Sequence, residues 1–183
     1  MRWTLTTLLW IATVTPGHAA PLGEILEFGY YEVQAEGERF QAPDTTSGAV
    51  VAAPTVKLLE QTDIIPIEPG RMFGFRFRLS GFPANKEVEI REVVTHPPIT
   101  RPDKKKSTGF ESRIGLNVQR GDVVDYVGYR LDHDYEMVEG EWRFEFWHED
   151  KKLLEKKFTT VKSAETKSPP AQSAAPSRRA TVR

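Results

Sequence analysis

Two short stretches of the sequence place histidine beside carboxylates. His133 lies between Asp132 and Asp134 in "LDHDYE", and His148 precedes two acids in "WHED". Imidazole and carboxylate groups together can bind a divalent transition metal. Adjacent residues of a strand point to opposite faces, so neither spacing alone commits these side chains to one site. We expect solvated loop residues here and keep a divalent-metal-binding protein or metalloenzyme, using His133, Asp132, Asp134 and His148, as an alternative.

Other catalytic chemistry has little support in the sequence. The chain has no cysteine, which excludes disulfides, thiol catalysis and thiolate metal sites. Gly-rich phosphate loops, the GxSxG elbow and the HExxH zinc motif are all missing from the sequence. The tripeptide "RGD" at residues 120–122 is more simply a turn between strands. We therefore predict a protein that is not an enzyme and that needs no cofactor.

The stretch "THPPITRPDKKKSTGF" suggests recognition instead of catalysis. Its prolines stiffen the backbone and lack amide donors, so we expect an extended connection that leaves a sheet edge. Three successive lysines then form a basic spot, which favours a solubilising loop and leaves partner recognition as a hypothesis. His96 is expected to be a structural hydrogen-bonding residue and not a base. The candidate partner-binding residues are His96, Pro97, Pro98, Lys104, Lys105, Lys106 and Trp147.

Exposed aromatic residues offer a further alternative, a glycan-binding β-sandwich. Trp147, together with Tyr30 or Tyr126, could form a platform on which a sugar ring stacks. Aromatic side chains are also ordinary stabilisers of sheets, and we favour that interpretation.

The elements that must position these residues are strands, because apolar residues alternate with polar ones. In "RMFGFRFRL" and "GEWRFEFWHED", every second residue is aromatic or apolar, as a half-buried strand requires. The residues predicted to face the core from these strands are Phe73, Phe75, Phe77, Leu79, Trp142, Phe144 and Phe146. Further strands are predicted at residues 24–33, 56–64, 87–94, 113–118, 124–131 and 153–161. About seven to eight short strands with frequent turns predict a single antiparallel immunoglobulin-like β-sandwich domain.

The two ends of the chain differ from this middle part. Residues 1–19 combine a basic residue, an apolar run and small residues, which predicts a signal peptide and a mature chain that begins at Ala20. From residue 162 onward the sequence is rich in Pro, Ser, Ala and basic residues, which predicts a disordered tail. The sandwich domain is expected at residues 20–161. A cysteine-free exported chain fits a bacterial protein that is periplasmic or secreted.

Charge and hydropathy limit the partners. The formal net charge is −1, and the basic tail leaves an acidic domain, which disfavours nucleic acid. No segment after the signal is long and apolar enough to span a bilayer, so we expect a protein that is not transmembrane.

Four stretches together resemble a known family: "LEFGYYEV", "TDIIPIEPGRMFGFRFRLSG", "VVTHPPITRPD" and "VEGEWRFEFWHEDKKLLEKKFTTV". They are similar to an uncharacterised bacterial family of domains of unknown function, DUF3859, over about residues 23–161. The resemblance implies a small, often exported β-sandwich and no known chemistry. We expect a non-catalytic, exported binding or interaction module of the bacterial cell envelope, with another envelope protein as partner and a glycan as the alternative. The sequence leaves the oligomeric state open.

Overall fold

The computed structural model describes residues 20–52 and 55–162. The predicted signal peptide and nearly all of the predicted tail therefore lie outside the described residues. Strands dominate the described part, and its one helical element is the 3-10 turn η1 (Asp134–Glu136). The strands are β1 (Leu22–Ala35), β2 (Glu38–Gln41), β3 (Ala49–Ala52), β4 (Thr55–Glu60), β5 (Ile64–Ile67), β6 (Met72–Ser80), β7 (Glu87–Thr100), β8 (Lys106–Asn117), β9 (Asp122–Arg130), β10 (Gly140–His148) and β11 (Lys151–Lys162).

Nine of these strands form two sheets, which pack face to face. The first sheet has the order β4-β1-β6-β9 and the second has the order β5-β11-β10-β7-β8, while β2 and β3 form a separate hairpin. The predicted sandwich is confirmed, with more strands than the seven or eight expected. One expected strand, residues 56–64, divides into β4 and β5, which belong to different sheets. The Thr62 hydroxyl accepts a hydrogen bond from the backbone N–H of Ile64 (3.1 Å) and fixes the turn between them.

Strand pairing within residues 20–52 and 55–162 is antiparallel with one exception. Strand β5 runs parallel to β11, so that Ile64 lies opposite Thr159 and Ile67 lies opposite Lys162. The antiparallel sandwich expected from the sequence therefore includes one parallel pair at this edge, because the chain crosses from one sheet to the other at residues 61–63 and enters the second sheet beside its last strand.

The core lies where β6 of the first sheet faces β10 of the second. The seven residues predicted to face it are all at most 1% exposed, which confirms the period-two interpretation. Their rings pack edge to face: the ring centroids of Phe77 and Phe146 are 4.8 Å apart, and those of Phe73 and Trp142 are 5.4 Å apart. Burial of each such side chain contributes about 1.5–3 kcal/mol, and each aromatic pair adds roughly 0.5–1.5 kcal/mol.

The proline-rich stretch lies within a hairpin. It was expected to be a connection leaving the sheet edge, but β7 continues to Thr100 and pairs with β8 on both sides of the prolines. The pairing is interrupted between Thr95 and Ile99, where Pro97 and Pro98 have no N–H to donate. The prolines therefore produce an irregularity within the ladder without ending it.

The two lateral sides of the sandwich differ. On one side β1 lies against β5 and β11, and a Cβ atom added to Gly23 would come within 2.5 Å of Leu154 Cγ. On the other side the edge strands are β8 and β9, and the described residues contain no comparable contact between these two strands. The sandwich is closed on the first side and open on the second.

Candidate functional site

A cavity of about 330 Å³ occupies the open side, between β8, β9 and the β2–β3 hairpin. This volume corresponds to about ten water molecules and lies at the lower end of the range for ligand pockets. Its inner wall is apolar and includes Phe77, Phe110, Ile114, Leu116 and Val127. The cavity is large enough for one or two side chains of a partner.

Glu92 is the polar group of this inner wall. Strand β7 turns Val88, Ile90 and Val94 toward the core, and the period of two places Glu92 on the same inward face. The side chain is half-buried and lines the cavity. On β8, directly opposite, the Ser112 hydroxyl donates a hydrogen bond to Glu92 Oε2 (2.9 Å).

The electrostatics of Glu92 follow from this position. Burial raises the pKa of the Glu92 carboxyl, and the hydrogen bond from Ser112 opposes that rise. Among the described residues, no Lys, Arg or His nitrogen lies within 4.0 Å of a Glu92 oxygen. The site therefore holds an inward-facing carboxyl group without a cationic partner.

The charged groups that line the cavity are mainly acidic. The cavity is lined by four carboxyl groups, those of Glu36, Glu92, Asp125 and Asp132, and by two guanidinium groups, those of Arg39 and Arg130. Arg130 is already paired, because it contacts Glu36 Oε1 and Asp132 Oδ1 at 2.6 Å each. Arg39 lies exposed on β2.

A buried polar cluster fastens the hairpin loop that covers the cavity. Residues 42–48 join β2 to β3, and Thr45 and Thr46 of this loop are 5% and 2% exposed. The Thr46 hydroxyl lies 2.8 Å from His96 Nε2 and 3.0 Å from Ser107 Oγ. This loop therefore folds over the sandwich, and Thr45 and Ser47 line the cavity.

His96 has one defined protonation pattern within this cluster. Its Nδ1 lies 2.7 Å from the carbonyl oxygen of Pro97, which can only accept, so Nδ1 carries the proton and Nε2 accepts from Thr46. Burial lowers the pKa of His96, and the hydrogen bond to Pro97 opposes that shift. The Thr46 hydroxyl contacts the imidazole, and the imidazole contacts a carbonyl oxygen; this chain of contacts resembles a nucleophile with its base. Thr46 and His96 are almost fully buried, however, so this geometry serves to hold the loop.

A family model, Domain of unknown function (DUF3859), matches residues 20–160 of the chain. The chain belongs to the DUF3859 family. A crystal structure of an immunoglobulin-like protein from Pseudomonas aeruginosa is similar in fold, with a TM-score of 0.58 and 23% sequence identity, covering 79% of this chain and 98% of that chain. Comparison with proteins of curated function finds no match. The family and the immunoglobulin-like fold are thus those expected from the sequence.

The DUF3859 domain does not bring the predicted metal-binding residues together. His133 lies in the connection that enters β10, whereas His148 is the last residue of that nine-residue strand. At about 3.3 Å per residue, the two ends of the strand are roughly 25 Å apart. His133 stacks on Tyr135, with ring centroids 5.0 Å apart, and Asp132 pairs with Arg130. Among the described residues, no three His, Cys, Asp or Glu side chains are grouped so that they could hold a metal ion.

A buried carboxylate explains the local structure around His133. Glu136 is fully buried and accepts three hydrogen bonds, from the Tyr129 hydroxyl (2.7 Å) and from the backbone N–H groups of Asp132 and His133 (3.0 Å each). These bonds fix the turn, while the Asp134 side chain stays exposed. The acidic cluster seen in the sequence is therefore a structured turn.

The aromatic residues of the glycan alternative lie on different layers of the DUF3859 domain. Trp147 is on the second sheet, half-buried, with the Arg91 guanidinium 5.0 Å and the Lys152 ammonium 5.5 Å from its ring centroid. Tyr126 packs against Tyr31 on the first sheet, 4.9 Å between centroids. Tyr30 belongs to the same sheet and is covered by Arg71. No platform shared by Trp147 and one of these tyrosines exists in the described part of the chain.

The partner-binding candidates of the proline-rich stretch separate into two groups. His96 is 3% exposed and lies inside the domain, whereas Pro97 is half-buried and packs against Gly140; partner binding by these two residues stays a prediction. The other four candidates, Pro98, Lys104, Lys105 and Lys106, are exposed. Lys104 has a φ of 66° at the tip of the hairpin, so the lysines lie where two strands turn. Partner binding by these four residues stays a prediction.

Glu92 and Ser112 are the residues that sequence reasoning missed. A signal was present: residues 88, 90, 92 and 94 share one face of a predicted strand, and three of them are Val or Ile. A charged residue at a core-facing position of a strand is unfavourable for packing unless it has a function.

The described residues include no helix that is long and apolar enough to cross a membrane.

Proposed function

We propose that this DUF3859 domain is a non-catalytic, exported module of the bacterial cell envelope that binds an extended segment of another protein at its open side. The observation that carries the proposal is the cavity that lies between two strand edges. An edge strand presents unpaired N–H and C=O groups, and a partner segment can add to such an edge while its alternate side chains enter pockets.

The lengths of the edges favour this side of the sandwich. The open side offers β8 with 12 residues and β9 with 9 residues, whereas the edges of the closed side are β4 with 6 residues and β5 with 4 residues. In the described part of the chain, β8 pairs only with β7 and β9 only with β6, so each has one free edge. An extended partner segment finds its longest row of free backbone groups beside the cavity.

Photo-crosslinking tests the site of binding. A photoreactive amino acid is placed at Arg39 or Asp125, which are exposed and line the cavity, and at Lys157, which is exposed on the second sheet, as the matched control. We expect one defined crosslinked protein from the two cavity positions in the native cells and none from the control. Equal crosslinking from all three positions, or none from the cavity positions, contradicts the proposal.

Export has a separate test. The support for it is the pattern of residues 1–19 and the lack of cysteine in the chain. We expect the protein in the periplasmic or secreted fraction of a bacterial host, with Ala20 as the first residue by mass spectrometry. An intact amino terminus in the cytoplasmic fraction would show that the proposal of export is wrong.

A further inference from the structure

We infer that the partner segment inserts an arginine side chain into the cavity, where its guanidinium group pairs with Glu92. This inference rests on the proposed function, because it specifies the residue by which the bound segment is recognised.

The first step of the argument is that Glu92 is an exception among its neighbours. The other inward-facing residues of β7 are Val88, Ile90, Val94, His96 and Ile99; four of them are apolar, and His96 has its ring nitrogens satisfied. Glu92 accepts a single hydrogen bond in the described structure, from Ser112. A half-buried carboxyl group beside apolar walls is stabilised by a cation or by several donors, and here it has one neutral donor.

The second step excludes the domain's own cations. Arg130 is held by two carboxylates, those of Glu36 and Asp132. Arg39 is exposed on β2 and makes no ion pair within 4.0 Å among the described residues. Neither arginine neutralises Glu92, so the complementary charge has to come with the occupant.

The third step concerns the shape and polarity of the cavity. Phe77, Phe110 and Ile114 provide apolar walls around Glu92, and carboxyl groups outnumber guanidinium groups in the lining. An anionic or purely polar occupant is disfavoured by this surrounding. An arginine side chain fits both features, because its methylene stem covers apolar surface while its planar guanidinium group forms paired hydrogen bonds with a carboxylate.

The test uses two short peptides and the full mature chain. The probes are the acetylated and amidated peptide Val-Thr-Arg-Thr-Val and its citrulline analogue, which has the same shape without the charge. Dissociation constants come from chemical-shift changes of backbone amides, with Ser112, Gly115 and Val127 reporting on the cavity. We expect the arginine peptide to bind about tenfold or more tightly than the citrulline peptide, since tenfold corresponds to 1.4 kcal/mol.

Two variants decide the role of Glu92. In Glu92→Gln the preference for arginine should fall to about one, whereas in Glu89→Gln it should stay within twofold of the unsubstituted chain. Glu89 is the matched control, because it lies on the same strand, faces outward and is exposed. The amide spectrum of each variant shows whether it is folded. A preference that persists in folded Glu92→Gln overturns the inference.

The remaining outcomes separate the inference from the proposed function. If both peptides shift the cavity amides with equal affinity, segment binding stands and the arginine inference is wrong. If neither peptide shifts these amides at millimolar concentration, binding at the open side fails and the inference fails with it.

A chain in which Lys167, Arg178, Arg179 and Arg183 are replaced by Gln tests the chain's own basic segment as occupant. Tenfold tighter peptide binding by that chain would identify this segment as the occupant of the cavity. It would overturn the inference that the occupant belongs to another protein.

Discussion

The centre of the sandwich and its open side are two neighbouring regions between the same two sheets, and they are filled in opposite ways. At the centre, Phe75 and Phe144 interlock edge to face and are at most 1% exposed. Along the open side, the equivalent inward positions hold Glu92 and Ser112 beside a cavity. The centre is organised for stability, whereas the open side retains a group and a space that lower stability. Such a combination is expected where a binding site is preserved at the expense of packing.

Removal of a ring from the centre should have the largest effect. Phe75→Ala should lower the free energy of unfolding by about 3–5 kcal/mol, because it leaves a hole in a tightly packed interior. Urea denaturation measures the change. Val124→Ala on β9, where Val124 is 55% exposed, is the control and should change stability by less than about 0.5 kcal/mol. A loss below 1 kcal/mol for Phe75→Ala would remove the contrast between the two regions.

Loss of the loop fastening should have the next largest effect. His96→Ala leaves the buried Thr46 hydroxyl and the half-buried Ser107 hydroxyl without their imidazole partner, which should cost about 1–3 kcal/mol. The change should also speed amide hydrogen exchange at Thr45 and Gly48, whose N–H groups bond within the loop. Exchange at Phe144 in the core serves as the internal control. Unchanged exchange at Thr45 and Gly48 would show that His96 does not hold the loop.

Replacement of the cavity carboxyl should act in the opposite direction. Glu92→Leu removes a half-buried carboxyl group that lacks a cationic partner and adds apolar volume, so we expect a gain of about 1 kcal/mol in the free energy of unfolding at pH 7. Glu89→Leu, on the outward face of the same strand, should change stability by less than about 0.5 kcal/mol. Destabilisation by Glu92→Leu would indicate that the carboxyl is a structural element, and the open side would then be organised like the centre.

The pH dependence should show the smallest and most specific effect. Because burial lowers the pKa of His96 in the folded state, the unfolded chain binds a proton at higher pH than the folded chain does. Stability should therefore fall as the pH decreases below about 6.5, with a slope from this group of at most about 1.4 kcal/mol per pH unit. Unfolding curves between pH 7.5 and 5.5 measure the slope, and His96→Ala should reduce it. An identical slope in the variant would contradict the burial of a neutral imidazole.

The sequence predicts the centre of this molecule better than its open side, for physical reasons. Alternation of Phe73, Phe75 and Phe77 directly reports one buried face of a strand. In contrast, the bond between Thr46 and His96 joins residues 50 positions apart, and nothing in the local pattern shows which loop will cover which strand. Glu92 is an intermediate case. The alternation of residues in the sequence predicts that its side chain faces inward, whereas the lack of a cation beside it depends on the tertiary structure.

The parallel pairing of β5 with β11 has a consequence for the order of folding. It joins residues 64–67 to residues 159–162, so the second sheet cannot be completed until the last strand has been synthesised. The aromatic row of β6 has no β10 to cover it until residues 140–148 have been synthesised, and pairings between such distant segments form slowly. A nascent chain of this domain thus exposes a phenylalanine-rich strand while residues 81–139 are synthesised, a condition that favours aggregation.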